Sequence, residues 1–113
     1  MQTEQLKQRI ERIEQCADDA KRACQNSSAP DDLKQCILQF HAQASAAKHA
    51  TQGPESATED SLRQSVIQLE ETADRAMQAC RSAGANLDPQ VQQTVKQAHA
   101  ETSSLKKELL QAA

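Results

Sequence analysis

The chain holds 113 residues, 37% hydrophobic and 26% charged, with no Trp or Tyr, one Phe, two Gly and three Pro, while Ala and Gln supply 19 and 17 positions. That length allows one domain, and the scarcity of aromatic residues and of turn-forming Gly and Pro argues for helices and against sheet. The net charge of −3 comes from 13 basic and 16 acidic residues interleaved along the chain, which leaves neither a basic patch for duplex nucleic acid nor aromatic platforms for single strands.

The start, Met1-Gln2-Thr3-Glu4-Gln5, lacks a positive segment followed by an apolar one, and no stretch approaches the ~20 apolar residues of a membrane span. A cytoplasmic protein of the bacterial cytosolic type, with four reduced thiols, is the expectation.

Apolar residues recur with alternating steps of four and three. In the first helix they are Leu6, Ile10, Ile13, Ala17, Ala20 and Cys24, one stripe on one face. Asn26-Ser27-Ser28-Ala29-Pro30-Asp31-Asp32 ends this helix and opens the next, with Pro in the first turn and acids at the positive end of the helix dipole. The second helix carries Leu33, Ile37, Phe40, Ala44 and Ala47. A central loop follows at residues 52–57, where Ser56 with Glu59 or Thr58 with Ser61 offers the next cap. The third helix carries Leu62, Val66, Leu69, Ala73, Ala76 and Cys80. Gly84 stops it, Asp88-Pro89 caps the fourth, and that helix carries Val91, Val95, Ala98, Thr102, Leu105 and Leu109. The predicted helices span residues 3–26, 30–50, 57–83 and 88–111, and their 3.5-residue period implies left-handed supercoiling with ~20° crossings.

Short loops between long helices force antiparallel neighbours, so the fold class is an all-α, up-down-up-down four-helix bundle in a single domain, residues 1–113. The two halves resemble each other. Residues 10–24 shifted by 56 match at six of fifteen positions, and residues 33–48 shifted by 58 at six of sixteen. The informative pairs are Asp18/Asp74, Cys24/Cys80, His41/His99, Ile10/Val66, Ile13/Leu69, Leu33/Val91 and Ile37/Val95. A duplicated hairpin is the expectation, with repeat 1 at 3–51 and repeat 2 at 58–111. The antiparallel register sets Cys24 level with Leu33, Ala20 with Ile37, Ala17 with Phe40 and Ile13 with Ala44, so large meets small. Phe40 has Ala98 as its counterpart, and its ring fills a space left by Ala17, Ala73 and Ala98.

The cysteines are candidates for soft-metal chemistry. Cys24 and Cys80 fall in the core stripe, and Cys16 and Cys36 beside it. On diagonal helices Cys24 and Cys80 stand farther apart than the ~7 Å Cα limit of a disulfide. Zinc sites favour a C-x2-4-C pair, and the chain has none. The run Cys16-x3-Ala20-x3-Cys24 is similar to the inward C-x3-C runs of a cysteine-rich copper-binding family of four-helix bundles, with the middle ligand missing. Over that one helix the resemblance implies thiolate binding of Cu(I). The metal candidates are Cys16, Cys24, Cys36, Cys80, His41 and His99, set against the plainer role of cysteines as small hydrophobes.

His41 falls level with Cys16 and His99 level with Thr72. A Cys16/His41 pair could activate a thiol, but no third residue orients the base and no oxyanion donor is recognisable, so no catalytic residue is assigned. Ferritin-like iron chemistry needs Glu-x-x-His, and Leu38, Ala46 and Lys96 stand where the glutamates belong. Adjacent carboxylates such as Asp18-Asp19 and Glu70-Glu71 point ~100° apart on a helix. Asp18 and Asp74 stand out as matched positions facing a common neighbour. A second apolar line, Leu38, His41, Ile67, Met77 and Leu110, is the candidate interaction surface.

The expected function is therefore a non-enzymatic structural or protein-interaction module, with a protein partner or self-association, of which the homodimer is favoured, and no cofactor, no nucleic acid and no membrane. The alternative is a thiol-based copper- or zinc-binding or redox-sensing bundle.

Overall fold

The structure, a computed structural model, describes residues 3–52, 59–84 and 87–111. Four helices account for nearly all of them: α1 (Thr3–Gln25), α2 (Asp31–Gln52), α3 (Glu59–Ala83) and α4 (Pro89–Gln111). The expected boundaries hold to within two residues. The expected caps at Ser56 and Thr58 lie outside the described residues.

The helix ends follow from local chemistry. Asp31 and Asp32 occupy the first turn of α2, where carboxylates meet the unpaired N–H groups of the helix start. At α4 the Gln90 N–H donates to Asp88 Oδ1 at 2.8 Å, so Asp88 is the cap and Pro89 the first helical residue; proline loses nothing there, since that N–H would be unpaired anyway. Gly84 closes α3 with φ of 69°, and its carbonyl accepts from Leu87 N–H at 3.3 Å. An added Cβ at Gly84 meets nothing within 4 Å, so the left-handed backbone alone selects glycine there. α1 ends without glycine: the Ser27 N–H and hydroxyl both reach Cys24 O, each at 3.4 Å.

The four helices pack as a square. α1 touches α2 and α4, α3 touches α2 and α4, and among the described residues no Cα of α1 comes within 8 Å of α3, nor of α2 within 8 Å of α4. Cross-helix partners run in opposite senses: Glu14 and Asp18 on α1 meet Lys48 and His41 on α2, while Glu70 and Asp74 on α3 meet Lys106 and His99 on α4.

Every stripe residue is buried except Cys80, which is half-buried. The core falls into two clusters that respect the expected levels. Ile13, Ala17, Phe40, Ala44, Ala73 and Ala98 belong to one, and Ala20, Cys24, Leu33, Ile37, Ala76, Val91 and Val95 to the other. Phe40 thus shares its cluster with the three alanines expected to make room for it. Two loop residues, Ala29 and Leu87, seal the second cluster. The period of a helix cannot reveal them, because they lie outside one. Three buried threonines also join the core. Thr94 and Thr102 give their hydroxyl protons to their own helix, Thr94 to Gln90 O at 3.0 Å and Thr102 to Ala98 O at 2.8 Å, which removes the cost of burying them.

Phe40→Ala should destabilise the chain by ~3–5 kcal/mol, measured as a lowered urea midpoint, because three alanines cannot expand into the void. Ala98→Phe should also destabilise, since Phe40 already occupies that space.

Candidate functional site

Polar side chains gather along the seams between helices, and positions equivalent between the two halves do equivalent things. On the α1/α2 seam, His41 Nε2 lies 3.6 Å from Asp18 Oδ1 and Lys48 Nζ lies 3.9 Å from Glu14 Oε2. On the α3/α4 seam, His99 Nε2 lies 3.4 Å from Asp74 Oδ1 and Lys106 Nζ lies 3.3 Å from Glu70 Oε2. Adding 56 to the α1 numbers and 58 to the α2 numbers turns one set into the other. Asp18 and Asp74, expected to face a common neighbour, do not share one, but each meets a histidine on its own seam.

His41 therefore pairs with Asp18, not with Cys16. Cys16 and Asp18 are two residues apart, about 200° around α1, so Asp18 turns towards α2 while Cys16 turns to the Glu101 side of the helix, facing α4. The corresponding position on α3 is Thr72, whose hydroxyl donates to Gln43 Oε1 of α2 at 2.8 Å and accepts from Arg75 Nη2 at 3.2 Å. A thiol activated by His41 needs both groups on one seam, and they lie on two.

The cysteines differ from their expected order of exposure. Cys16, expected on the flank, is buried, whereas Cys80, expected in the core, is half-buried. All four are free thiols, and the separation of α1 from α3 puts the Cys24 and Cys80 Cα atoms beyond 8 Å. Burial pushes the Cys16 thiol above its ordinary value of 9.0, with Glu101 and Asp19 adding to the effect and Arg12 opposing it. Burial likewise raises Cys24, against the pull of Lys34, and raises Cys80, helped by Cys24 across the bundle.

Cys24 and Cys80 each line a cleft near the loop-bearing end. The first, about 270 Å³, is formed by Lys21, Cys24, Gln25, Lys34, Ile37 and Leu38. The second, about 360 Å³, is formed by Met77, Cys80, Arg81, Gly84, Gln92 and Lys96. Apart from Gly84, the lining of the second stands at positions equivalent to the first. Each cleft has a cysteine and two cations and no carboxylate, in a chain whose net charge is −3.

The remaining candidates spread out. Leu38 and Leu110 are exposed, at 50% and 49%, whereas His41, Ile67 and Met77 are half-buried against neighbouring helices. Leu38 borders Cys24 near the end of α1, while Leu110 follows Glu108, which pairs with Arg9 near its start. They occupy opposite ends of the bundle. Of the six metal candidates, Cys24, Cys36 and Cys80 pack on the same core cluster, Cys16 lies in the other, and His41 and His99 sit on two outer seams. Among the described residues the one group of three ligand atoms within 4.8 Å of one another comes from Glu70, Asp74 and His99. Spacing shows Glu70 and Asp74 one turn apart on α3, but not which histidine they meet.

No helix among the described residues is long and apolar enough to cross a membrane. Comparison with protein-family models, with curated proteins and with solved structures finds no match to this chain.

In native protein a maleimide should label Cys36 and Cys80 faster than Cys16 and Cys24, checked by mass spectrometry of quenched samples. The folded chain also holds the thiol protons of Cys16, Cys24 and Cys80 more tightly than the unfolded one. The stability this contributes is fully present below the unfolded value of 9.0 and is lost as pH rises through the raised folded values. Urea midpoints measured between about pH 8 and pH 10.5 should fall, and fall less steeply in a Cys16→Ala/Cys24→Ala/Cys80→Ala variant.

Proposed function

We propose that this chain is a non-enzymatic interaction module, an up-down-up-down bundle arising from hairpin duplication, that docks an acidic amphipathic segment of a protein partner on its twin clefts. The observation that carries the proposal is a cleft at equivalent positions of both halves, in which the cysteine recurs and two cations are present each time, though at different positions. Each presents two cations beside an apolar floor, and together they take Lys21, Lys34, Arg81 and Lys96 out of 13 basic residues. An apolar side chain fits the floor while flanking carboxylates meet the cations, the mode of helix-in-groove recognition. Exposed Leu38 extends the first cleft with apolar surface. The separation of Leu38 from Leu110 breaks the apolar line a homodimer would need, which favours a partner over self-association.

The direct test is fluorescence anisotropy with a labelled acidic amphipathic helical peptide and a basic peptide of the same apolar pattern. The acidic peptide should bind, weaken with added salt, and lose most of its affinity to Lys21→Glu/Lys34→Glu/Arg81→Glu/Lys96→Glu. Equal binding of both peptides, or indifference to charge reversal, would overturn the proposal. Light scattering should give the monomer mass of about 12.4 kDa for the free chain.

Sulfur at this end favours a second reading, a soft-metal thiol site. Cys24 raises the Cys80 thiol, and Cys36 and Met77 pack against the same cluster. Thiolate and thioether suit Cu(I). Competition against a Cu(I) chelator should then show binding that Cys24→Ser/Cys80→Ser removes.

A further inference from the structure

We infer that Glu70, Asp74 and His99 form a binding site for one divalent transition-metal ion of the zinc type, and that the equivalent residues of the other half do not. The inference is independent of the twin clefts. One ligand atom from each of the three residues lies within 4.8 Å of the other two. A sphere of Zn–N and Zn–O bonds of about 2.0–2.2 Å is some 4 Å across, so small side-chain rotations close it. The two carboxylates stand four residues apart on α3, on one face, and the imidazole comes from α4. One nitrogen and two oxygens suit a borderline ion such as Zn(II) or Co(II) better than Cu(I). His99 Nε2 is buried and makes no hydrogen bond, and its nearest acidic neighbour, Asp74 Oδ1, stands 3.4 Å away. The atom that would ligate the ion is thus not engaged elsewhere.

Charge separates the two halves. In the first, Asp18 is held by Arg22, four residues on, at 2.8 Å, and Glu14 by Lys48 at 3.9 Å. With a neutral histidine that seam sums to zero. In the second, Lys106 holds Glu70 at 3.3 Å, but the position four residues after Asp74 is Gln78. Among the described residues no lysine or arginine pairs with Asp74, so that seam keeps one negative charge, on the carboxylate beside the imidazole. A doubly charged ion is stabilised there and meets a competing guanidinium in the first half.

The test is titration of metal-stripped full-length chain with Co(II), followed by visible absorption, and with Zn(II), followed by calorimetry. One ion per chain is expected, with ligand-field bands and without the near-ultraviolet thiolate-to-cobalt charge-transfer band. His99→Gln and Asp74→Asn should each weaken binding at least about tenfold, the loss seen even for residues behind the ligands. Gln78→Arg, which installs the first half's cation, should weaken it without removing a ligand. Arg22→Gln should raise the stoichiometry towards two, by releasing Asp18 beside His41. All four positions have side chains on the surface or half-buried, and circular dichroism should show unchanged helix. Absence of binding at millimolar Co(II), binding indifferent to His99→Gln and Asp74→Asn, or a thiolate band lost in Cys24→Ser/Cys80→Ser would each overturn the inference.

Discussion

One aromatic ring, Phe40, shares a single core cluster with Ala17, Ala73 and Ala98. Four alanines there would leave a void, and two rings could not fit at interior packing density. The ring must therefore come from one helix only. The same trade of large for small runs the length of the bundle: Leu33 and Ile37 share a cluster with Cys24 and Ala20, and Ile13 and Leu69 with Ala44 and Ala73. Small residues let the helices approach, and large ones supply the apolar area that holds them together. The seams and clefts inherit their geometry from that spacing.

With the helices fixed at those distances, the half-buried flanks decide which polar groups meet. The two histidine–carboxylate seams repeat because the same residues stand at equivalent positions, Glu14 and Glu70, Asp18 and Asp74, His41 and His99, Lys48 and Lys106. Departures from the repeat carry the distinctions between the halves. Arg22 is replaced by Gln78, which frees a carboxylate, and Cys16 by Thr72, which trades a buried thiol for a hydroxyl bonded to Gln43. The Arg22/Gln78 difference lies on exposed flanks, where a substitution alters charge without altering core volume, whereas Cys16 and Thr72 are both buried.

The thiols show the same economy. Cys16 and Cys24 fill core volume as small hydrophobes, and their raised titration reflects removal from water more than any specific partner. Cys80 is the one stripe residue left half-buried. Its cleft opens beside Gly84, where the chain turns out of α3. The contrast between Cys24 and Cys80 is thus one of surroundings and not of position along the helix.

By itself the sequence determined the number of helices, their limits to within two residues and the buried stripe on each. All of these follow from the local period of the α-helix and from short-range capping at residues such as Asp88 and Gly84. The direction in which each flank residue faces was not legible. Cys16 and Asp18 stand two residues apart yet turn to different neighbours, and the burial of Ala29 and Leu87 arises because two distant loops meet over one end of the core. Which helix stands on which side of α1 is a property of the closed bundle. Only tertiary structure could bring Glu70, Asp74 and His99 together, give Cys16 to the core, and join two cations to each cysteine-lined cleft.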